Sequence, residues 1–328
     1  MNIAFAGFRH GHVYTILNQV KDIPDMKIVA AWEPNEEARE TAASRGIEFT
    51  HESFDEIISQ PNVDIVVIGD YYAARGQEII KALSAGKHVI ADKPICTTLD
   101  ELDKIEELLK NGNAKLTCML DLRYTFAVQK AREIVQNGEI GKVHNIVFVG
   151  CHQLSYGSRP MWYFEDGKHG GTINDIAVHG VDLINFIVGA KLEKINGARV
   201  WNGFATEEPD FKDCAQFMAE FDNGIGVIAD VSYAAPVGQK AGDFFWRFTI
   251  FGESGTIEFN FPKNNMITLY RVNGKVREEI TGSAENRSFL ADFVNSLNGE
   301  EPFISQEDVI SASRAVLKLQ KYADDLNA

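Results

Sequence analysis

The chain has 328 residues, 45% apolar and 24% charged. At roughly 150 residues per domain it has room for two cores, and its composition argues against global disorder. Its 47 acidic against 32 basic residues leave a formal charge of −15, which repels a nucleic-acid duplex on average and makes that partner class a poor fit. No run approaches the ~20 apolar residues of a membrane span. The N-terminus lacks the basic start of a secretory signal. The four cysteines include no C-x-x-C pair and form no disulfide framework, so the expectation is free thiols in a cytoplasmic protein.

Residues 3–6 are the first apolar run, followed by Val13, Ile16, Leu17 and Val20 at i, i+3, i+4, i+7, the stripe of a one-sided helix. Residues 27–32 read as a second strand. Residues 64–69, Asp-Ile-Val-Val-Ile-Gly, are the continuous apolar run of a strand covered on both faces. Residues 87–91 and 115–120 are two more strands. Between them Leu99, Leu102, Ile105 and Leu108 mark a helix that Thr98 and Glu101 open as a capping box. This alternation predicts a doubly wound parallel sheet over residues 1–120. Beyond residue 120 the pattern changes. A helix over 126–136 stops at Asn137-Gly138, a strand follows at 144–149, and a helix covers 173–188. Strand-like segments fill 194–281, with Asn223-Gly224 as a hairpin turn. They include runs over 244–251, 256–261, 266–272 and 275–280. The tail from 288 returns to helix. The expectation for 121–328 is an α+β domain with an open, mostly antiparallel sheet.

Gly7 ends the first strand and precedes the first helix, where a dinucleotide-binding loop belongs and where free backbone N–H groups face a pyrophosphate. The loop reads Gly7-Phe8-Arg9-His10-Gly11-His12, so only the first glycine of G-x-G-x-x-G is in register. Arg9 takes the second position and reaches a phosphate through its side chain instead. Glu33 ends the second strand, where an acid accepts hydrogen bonds from the adenosine ribose and repels a 2′-phosphate; it points to NAD, with NADP less favoured. His10 and His12 find no third ligand nearby in sequence, so no metal is expected.

Residues 82–94, Ala-Leu-Ser-Ala-Gly-Lys-His-Val-Ile-Ala-Asp-Lys-Pro, resemble the A-L-x-A-G-K-H-V-x-x-E-K-P signature of the glucose–fructose oxidoreductase / inositol dehydrogenase / rhizopine-catabolism (Gfo/Idh/MocA) family, with Asp92 in place of Glu. Residues 170–182 match its G-G-x-x-x-D-x-x-x-H-x-x-D segment through Gly170, Gly171, Asp175, His179 and Asp182. Gly138-Glu139-Ile140-Gly141 and Gly252-Glu253-Ser254-Gly255 resemble two further turns of the family. Two segments depart from the pattern: the glycine loop, and Asp70-Tyr71-Tyr72-Ala73-Ala74-Arg75 where T-P-N-x-x-H is usual.

The resemblance implies a Rossmann domain followed by an α/β substrate domain whose sheet serves homo-oligomerisation. It implies NAD(P)-dependent oxidation or reduction of a secondary alcohol on a sugar, inositol or polyol derivative. It assigns Lys93, Asp175 and His179 to the reacting carbon. Gly7, Phe8, Arg9, His10, Glu33, Asp70, Tyr71 and Lys93, at the ends of the first-domain strands, are the candidate cofactor contacts. Trp162, Lys168 and His169, in a long loop before the glycine pair, are added as substrate contacts together with Asp175 and His179. Arg123, Tyr124 and His152 are weaker candidates. On a wheel at about 100° per residue, His179 falls about 40° from Asp175 and Asp182 about 20° to the other side, so one stripe carries the ionisable groups. A histidine that titrates near neutrality suits removal of the hydroxyl proton. Two other readings stay open: a glycoside hydrolase that uses bound NAD for transient oxidation, and a non-catalytic dinucleotide sensor.

Overall fold

Parallel strands dominate the first part of the chain. The computed structural model describes residues 1–235, 244–272, 276–285 and 287–326. In chain order the first elements are β1 (Asn2–Ala6), α1 (Val13–Val20), β2 (Lys27–Trp32), α2 (Glu36–Ala43), α3 (Phe54–Ser59), β3 (Ile65–Ile68), α4 (Tyr72–Ser84), β4 (His88–Ala91), α5 (Leu99–Asn111) and β5 (Leu116–Cys118). The five strands form one parallel sheet in the order β2-β1-β3-β4-β5. Every residue of β3 is buried, as its unbroken apolar run requires. The helices begin on side-chain caps: Asn35, Ser53 and Thr98 accept the N–H groups of Ala38, Glu56 and Glu101. Glu101 returns the bond one residue early, to Thr97 N–H at 3.3 Å. The strand order reverses direction at β1/β3, the crevice where such sheets bind ligands beyond their carboxyl ends.

The second part holds α6 (Phe126–Gln136), β6 (Val143–Val149), a π-helical turn (Ile173–Ala177) running into α7 (Val178–Val188), and β7 (Leu192–Trp201), β8 (Cys214–Phe221), β9 (Ile225–Asp230), β10 (Arg247–Gly252), β11 (Gly255–Phe259), β12 (Met266–Arg271) and β13 (Val276–Thr281), then α8 (Phe289–Leu297) and α9 (Gln306–Asp325). The eight strands form one sheet, β13-β12-β11-β10-β6-β9-β8-β7, in which only the β6–β9 pair is parallel. The run expected from residue 244 becomes a strand only at Arg247, and Lys275 lies outside the described residues. In the β8–β9 hairpin both Asn223 and Gly224 have positive φ, 67° and 74°, as a tight right-twisting turn demands. Side chains alternate along β8 from residue 216: Phe217, Ala219 and Phe221 are buried, Gln216 and Met218 exposed. On the buried face Gly180 of α7 lies against Phe148; a Cβ at Gly180 would stand 2.5 Å from Phe148 Cζ.

The chain divides into two compact units, neither a single stretch of sequence. The first is Met1–Met119 with Pro160–Gly170 and Arg287–Ser313; the second is Leu120–Arg159, Gly171–Asn286 and Arg314–Ala328. Within the first, α8 is pinned to α1 by Gln19, whose side-chain oxygen accepts from Ser288 Oγ and Leu290 N–H at 2.8 and 2.9 Å. Among the described residues no helix is long and apolar enough to cross a membrane, and the four cysteines are buried, none in a disulfide.

Candidate functional site

In the first unit the site grows from the carboxyl ends of β1, β2, β3 and β4. Gly7 has φ +81°, and a Cβ there would stand 2.7 Å from Asp70 Cα, so the close approach of the β1 and β3 loops requires glycine. Arg9 N–H donates to Gly69 O at 2.9 Å and fastens the two loops together. Glu33 is fully buried. Its carboxylate accepts from Phe8 N–H at 2.5 Å and Asn35 N–H at 2.8 Å, and pairs with Arg9 Nη1 at 3.5 Å. Burial raises its pKa, against the pull of the backbone bonds. The oxygens expected to meet a ribose are therefore occupied by the loop itself.

The departure at residues 70–75 has a structural counterpart in Arg75, a fully buried cation on α4. Its Nε donates to Asp70 O at 2.7 Å, Nη1 to Lys93 O at 2.5 Å, and Nη2 approaches Asp92 Oδ2 at 3.4 Å. It thus ties the β3 loop to the Asp-Lys-Pro segment after β4. In the sequence Arg75 stood out only as part of the segment that departs from the family pattern; the further signal was its place on one buried helix face with Glu78, Ile79 and Ala82. Beside it Asp70 and Glu78 are both buried, and burial raises the pKa of each. Tyr71 precedes α4, its N–H on Asp70 Oδ1 at 2.6 Å, and its ring meets Arg9 and Lys168 at 5.9 and 5.2 Å. Lys93 is buried, with Nζ 5.9 Å from the Tyr72 ring.

Asp92 is the hub. His10 Nδ1 lies 2.7 Å from Oδ2 and His12 Nδ1 2.8 Å from Oδ1. Burial alone would raise the Asp92 pKa, but His10, His12 and Arg75 outweigh it and hold the carboxyl well below its ordinary value. Burial lowers His10 to about 4, so its imidazole is neutral at physiological pH. The third partner sought near the two histidines in sequence comes from 82 residues away.

Residues 160–170 bring aromatic walls to the same unit. Trp162 and Tyr163 pack with Tyr72 in one buried cluster, and Tyr72 and Tyr163 share a hydroxyl bond of 2.8 Å. Trp162 is part of this core, with only 4% exposure, rather than an open platform for a sugar ring. His169 is buried against Tyr72 and Tyr163, and Lys168 pairs with Glu165. A cleft of about 270 Å³ is lined by Phe8, Arg9, His10, Asn35, Trp162 and Glu165, among others. Two of its lining residues, Tyr14 and Trp162, carry a buried hydroxyl and indole N–H that have no partner among the described residues. A buried polar group left without a bond is costly, and donors of this kind beside a guanidinium suit a phosphate- and hydroxyl-bearing ligand.

In the second unit Gly171, at φ +99°, lets Gln320 of α9 approach the helix start; a Cβ would stand 2.6 Å from Gln320 Nε2. Gln320 Oε1 accepts from Ile173 and Asn174 N–H at 2.9 and 3.4 Å and caps the π turn. Wide turns of this kind often mark functional sites. The turn also alters the uniform wheel: Asp175 lies in it, His179 and Asp182 in α7. All three are buried, so the stripe is no solvated face. Asp175 accepts a hydrogen bond from Tyr233 Oη. His179 lies edge-on to Trp246 at 5.5 Å, and His152 packs on Trp246 at 5.4 Å with its Nδ1 on Gly150 O at 2.7 Å. Arg159 stacks 4.9 Å from the Tyr233 ring. Tyr233 and Trp246 went unrecognised in the sequence because they sit outside any motif. Asp182 has a different partner: Arg123 Nε and Nη2 grip its two oxygens at 2.8 and 2.5 Å, so Arg123 is a structural partner of the motif aspartate.

Two family profiles match the chain: the oxidoreductase family with NAD-binding Rossmann fold over residues 1–119, and the GFO/IDH/MocA C-terminal domain over residues 128–258. The chain is 26% identical over 264 residues to scyllo-inositol 2-dehydrogenase (NAD(+)) of Bacillus subtilis, covering 80% of this chain and 74% of that enzyme. It is 25% identical over 312 residues to myo-inositol 2-dehydrogenase of Thermotoga maritima, covering 91% and 89%. Its fold is that of levoglucosan dehydrogenase in complex with NADH, with TM-score 0.83 at 19% identity over 100% and 98% of the two chains. The parallel sheet with its loop at the β1/β3 crevice, the eight-stranded sheet and both profile matches agree: the chain belongs to the Gfo/Idh/MocA oxidoreductase family and carries its NAD-binding Rossmann fold.

Proposed function

We propose that this oxidoreductase transfers hydride between nicotinamide and one secondary alcohol of a sugar, inositol or related polyol. The observation that carries the reading is the buried pair on the π turn and α7: Asp175, held by the Tyr233 hydroxyl, and His179, edge-on to Trp246. Burying ionisable groups is costly, and groups so enclosed cluster at functional sites. The named inositol dehydrogenases among its relatives supply the substrate class. The hydrolase and sensor readings find no such support.

For the cofactor, the first unit offers Gly7, Phe8, Arg9, His10, Asp70, Tyr71 and Lys93, with Tyr14 and Trp162 as added donors. Bound NAD supplies the hydride acceptor or donor. His179 takes the hydroxyl proton as the carbonyl forms, and Asp175 orients a neighbouring hydroxyl or the imidazole. Lys93 polarises the substrate oxygen. A direct Glu33–ribose bond requires Arg9 to leave the carboxylate. The guanidinium so released is free to meet a cofactor phosphate; if that contact holds the dinucleotide, Arg9→Ala should weaken NADH binding roughly tenfold with little change in melting, and an unchanged affinity would assign Arg9 to structure.

The open face of the eight-stranded sheet exposes Met218 and Ile228 at 48% and 55% beside an apolar groove of about 550 Å³ lined also by Val147, Val149 and Leu326. Such a patch marks an association surface, and homo-oligomerisation through this sheet is our reading. Buried thiols, none in a disulfide, accord with a cytoplasmic location. A panel of inositols, aldoses and polyols, followed by absorbance of the reduced cofactor, tests the activity. Product formation without net NADH would instead select the hydrolase, and NADH binding without turnover of any member the sensor.

A further inference from the structure

Hydride transfer makes no use of the full His10–Asp92–His12 constellation. The three side chains come from the loop after β1 and the end of β4. Their donor atoms, one from each residue, all lie within 4.8 Å of one another. The two rings meet edge-on with centroids 4.6 Å apart. Each Nδ1 stands 2.7–2.8 Å from one oxygen of the same carboxylate. Two ligand atoms that share an ion at about 2.1 Å each have this spacing when they subtend roughly 80°.

The chemistry of the set agrees with the spacing. Asp92 is buried. It is held from behind by Lys93 N–H at 2.7 Å and by Arg75 Nη2 at 3.4 Å, the kind of outer contact that fixes a ligating carboxylate. A neutral imidazole has only to carry its proton on Nε2 rather than Nδ1 to present a lone pair. The set includes two imidazole nitrogens, which favour first-row transition ions over magnesium or calcium. The Arg75 guanidinium opposes a dication at this carboxylate, so binding depends on both imidazoles. The aspartate matters as well. It stands where the family pattern has glutamate, and in this chain its shorter side chain meets both histidines.

We propose that His10, His12 and Asp92 form a binding site for a divalent first-row transition-metal ion, with water completing the coordination. The site lies on the cofactor-binding loop, yet the hydride-transfer reading does not depend on it.

The test is cobalt titration of the full-length protein after chelator treatment and removal of the chelator. The expected result is one equivalent of Co²⁺ with visible ligand-field bands. His10→Gln and His12→Gln should each weaken binding roughly tenfold or more. His12 is 30% exposed, so its variant should fold, and a melting curve on the same sample verifies that. The proposal is overturned if wild type binds no Co²⁺ at millimolar concentration. It is equally overturned if both variants keep wild-type affinity, or if a sulfur-to-metal charge-transfer band shows that a cysteine takes the ion. NADH binding, followed by fluorescence on the wild type, separates the two readings. Absent cobalt with intact NADH binding refutes only the metal site; intact cobalt with absent NADH binding refutes only the oxidoreductase reading.

Discussion

Two aspartates of one motif, Asp175 and Asp182, should fail in opposite ways when neutralised. Asp182→Asn keeps the shape of the side chain but removes the charge that two Arg123 nitrogens grip at 2.8 and 2.5 Å. Both side chains are almost sealed from solvent, at 2% and 1% exposure. The variant leaves a buried guanidinium whose remaining support includes the Phe186 face at 4.7 Å. Breaking a buried pair from one side costs roughly 3–5 kcal/mol, of which the aromatic contact returns little. At roughly 2–4 °C per kcal/mol for a unit of this size, the melting temperature should fall by about 6–20 °C. The measurement is calorimetric melting together with kcat and KM of the folded fraction, in which kcat should stay near wild type. Arg123→Met with Asp182→Leu removes both charges and should recover most of the loss. Asp175→Asn should do the reverse: its oxygen still accepts from Tyr233, so melting shifts by about 1 kcal/mol while kcat falls by roughly 10²-fold or more. The reasoning is refuted if Asp182→Asn melts like wild type while turnover collapses, or if the double variant is no more stable than the single one.

Three further outcomes are expected. His179→Ala should lower kcat by roughly 10²–10⁴ with NADH affinity unchanged, measured by steady-state kinetics and calorimetry; near-normal kcat would remove His179 from the role of base. Gln320→Ala deprives the π turn of its cap on Ile173 and Asn174 and should cost about 0.5–2 kcal/mol in a denaturant melt, whereas an unchanged midpoint would show that the cap contributes nothing. Burial, with Asp70 as the next cause, raises Glu78 well above its ordinary value of 4.5. The folded state therefore holds a proton that the unfolded chain releases, and the stability from this group is full below pH 4.5 and lost as pH rises through the folded value. Glu78→Gln should gain on wild type in melting temperature from pH 5 to pH 8, and an advantage that stays flat with pH would contradict the burial argument.

Much of this protein follows from near neighbours along the chain. The apolar run of β3, the Thr98 cap of α5, the Asn223-Gly224 turn with two positive φ angles, and the Gly7 turn after β1 are all settled within a few residues, because dihedral preference, hydrophobic period and capping act over that range. The motif containing Lys93, and that containing Asp175 and His179, could be read for the same reason: the residues of each lie close together in sequence. The pairing of polar groups could not. Nothing in Gly7-Phe8-Arg9-His10-Gly11-His12 says that both histidines will meet Asp92, 82 residues from His10, or that Glu33 will spend its oxygens on Phe8 and Asn35. Trp162 looked like a loop platform until the fold placed it against Tyr72, and Asp182 shared the ionisable stripe of Asp175 and His179 until Arg123, 59 residues earlier, claimed it. A polar group takes its role from what surrounds it once water has been removed, since an unpaired buried charge costs far more than any local preference can offset. The set of groups that share a dry environment is decided only when distant segments pack.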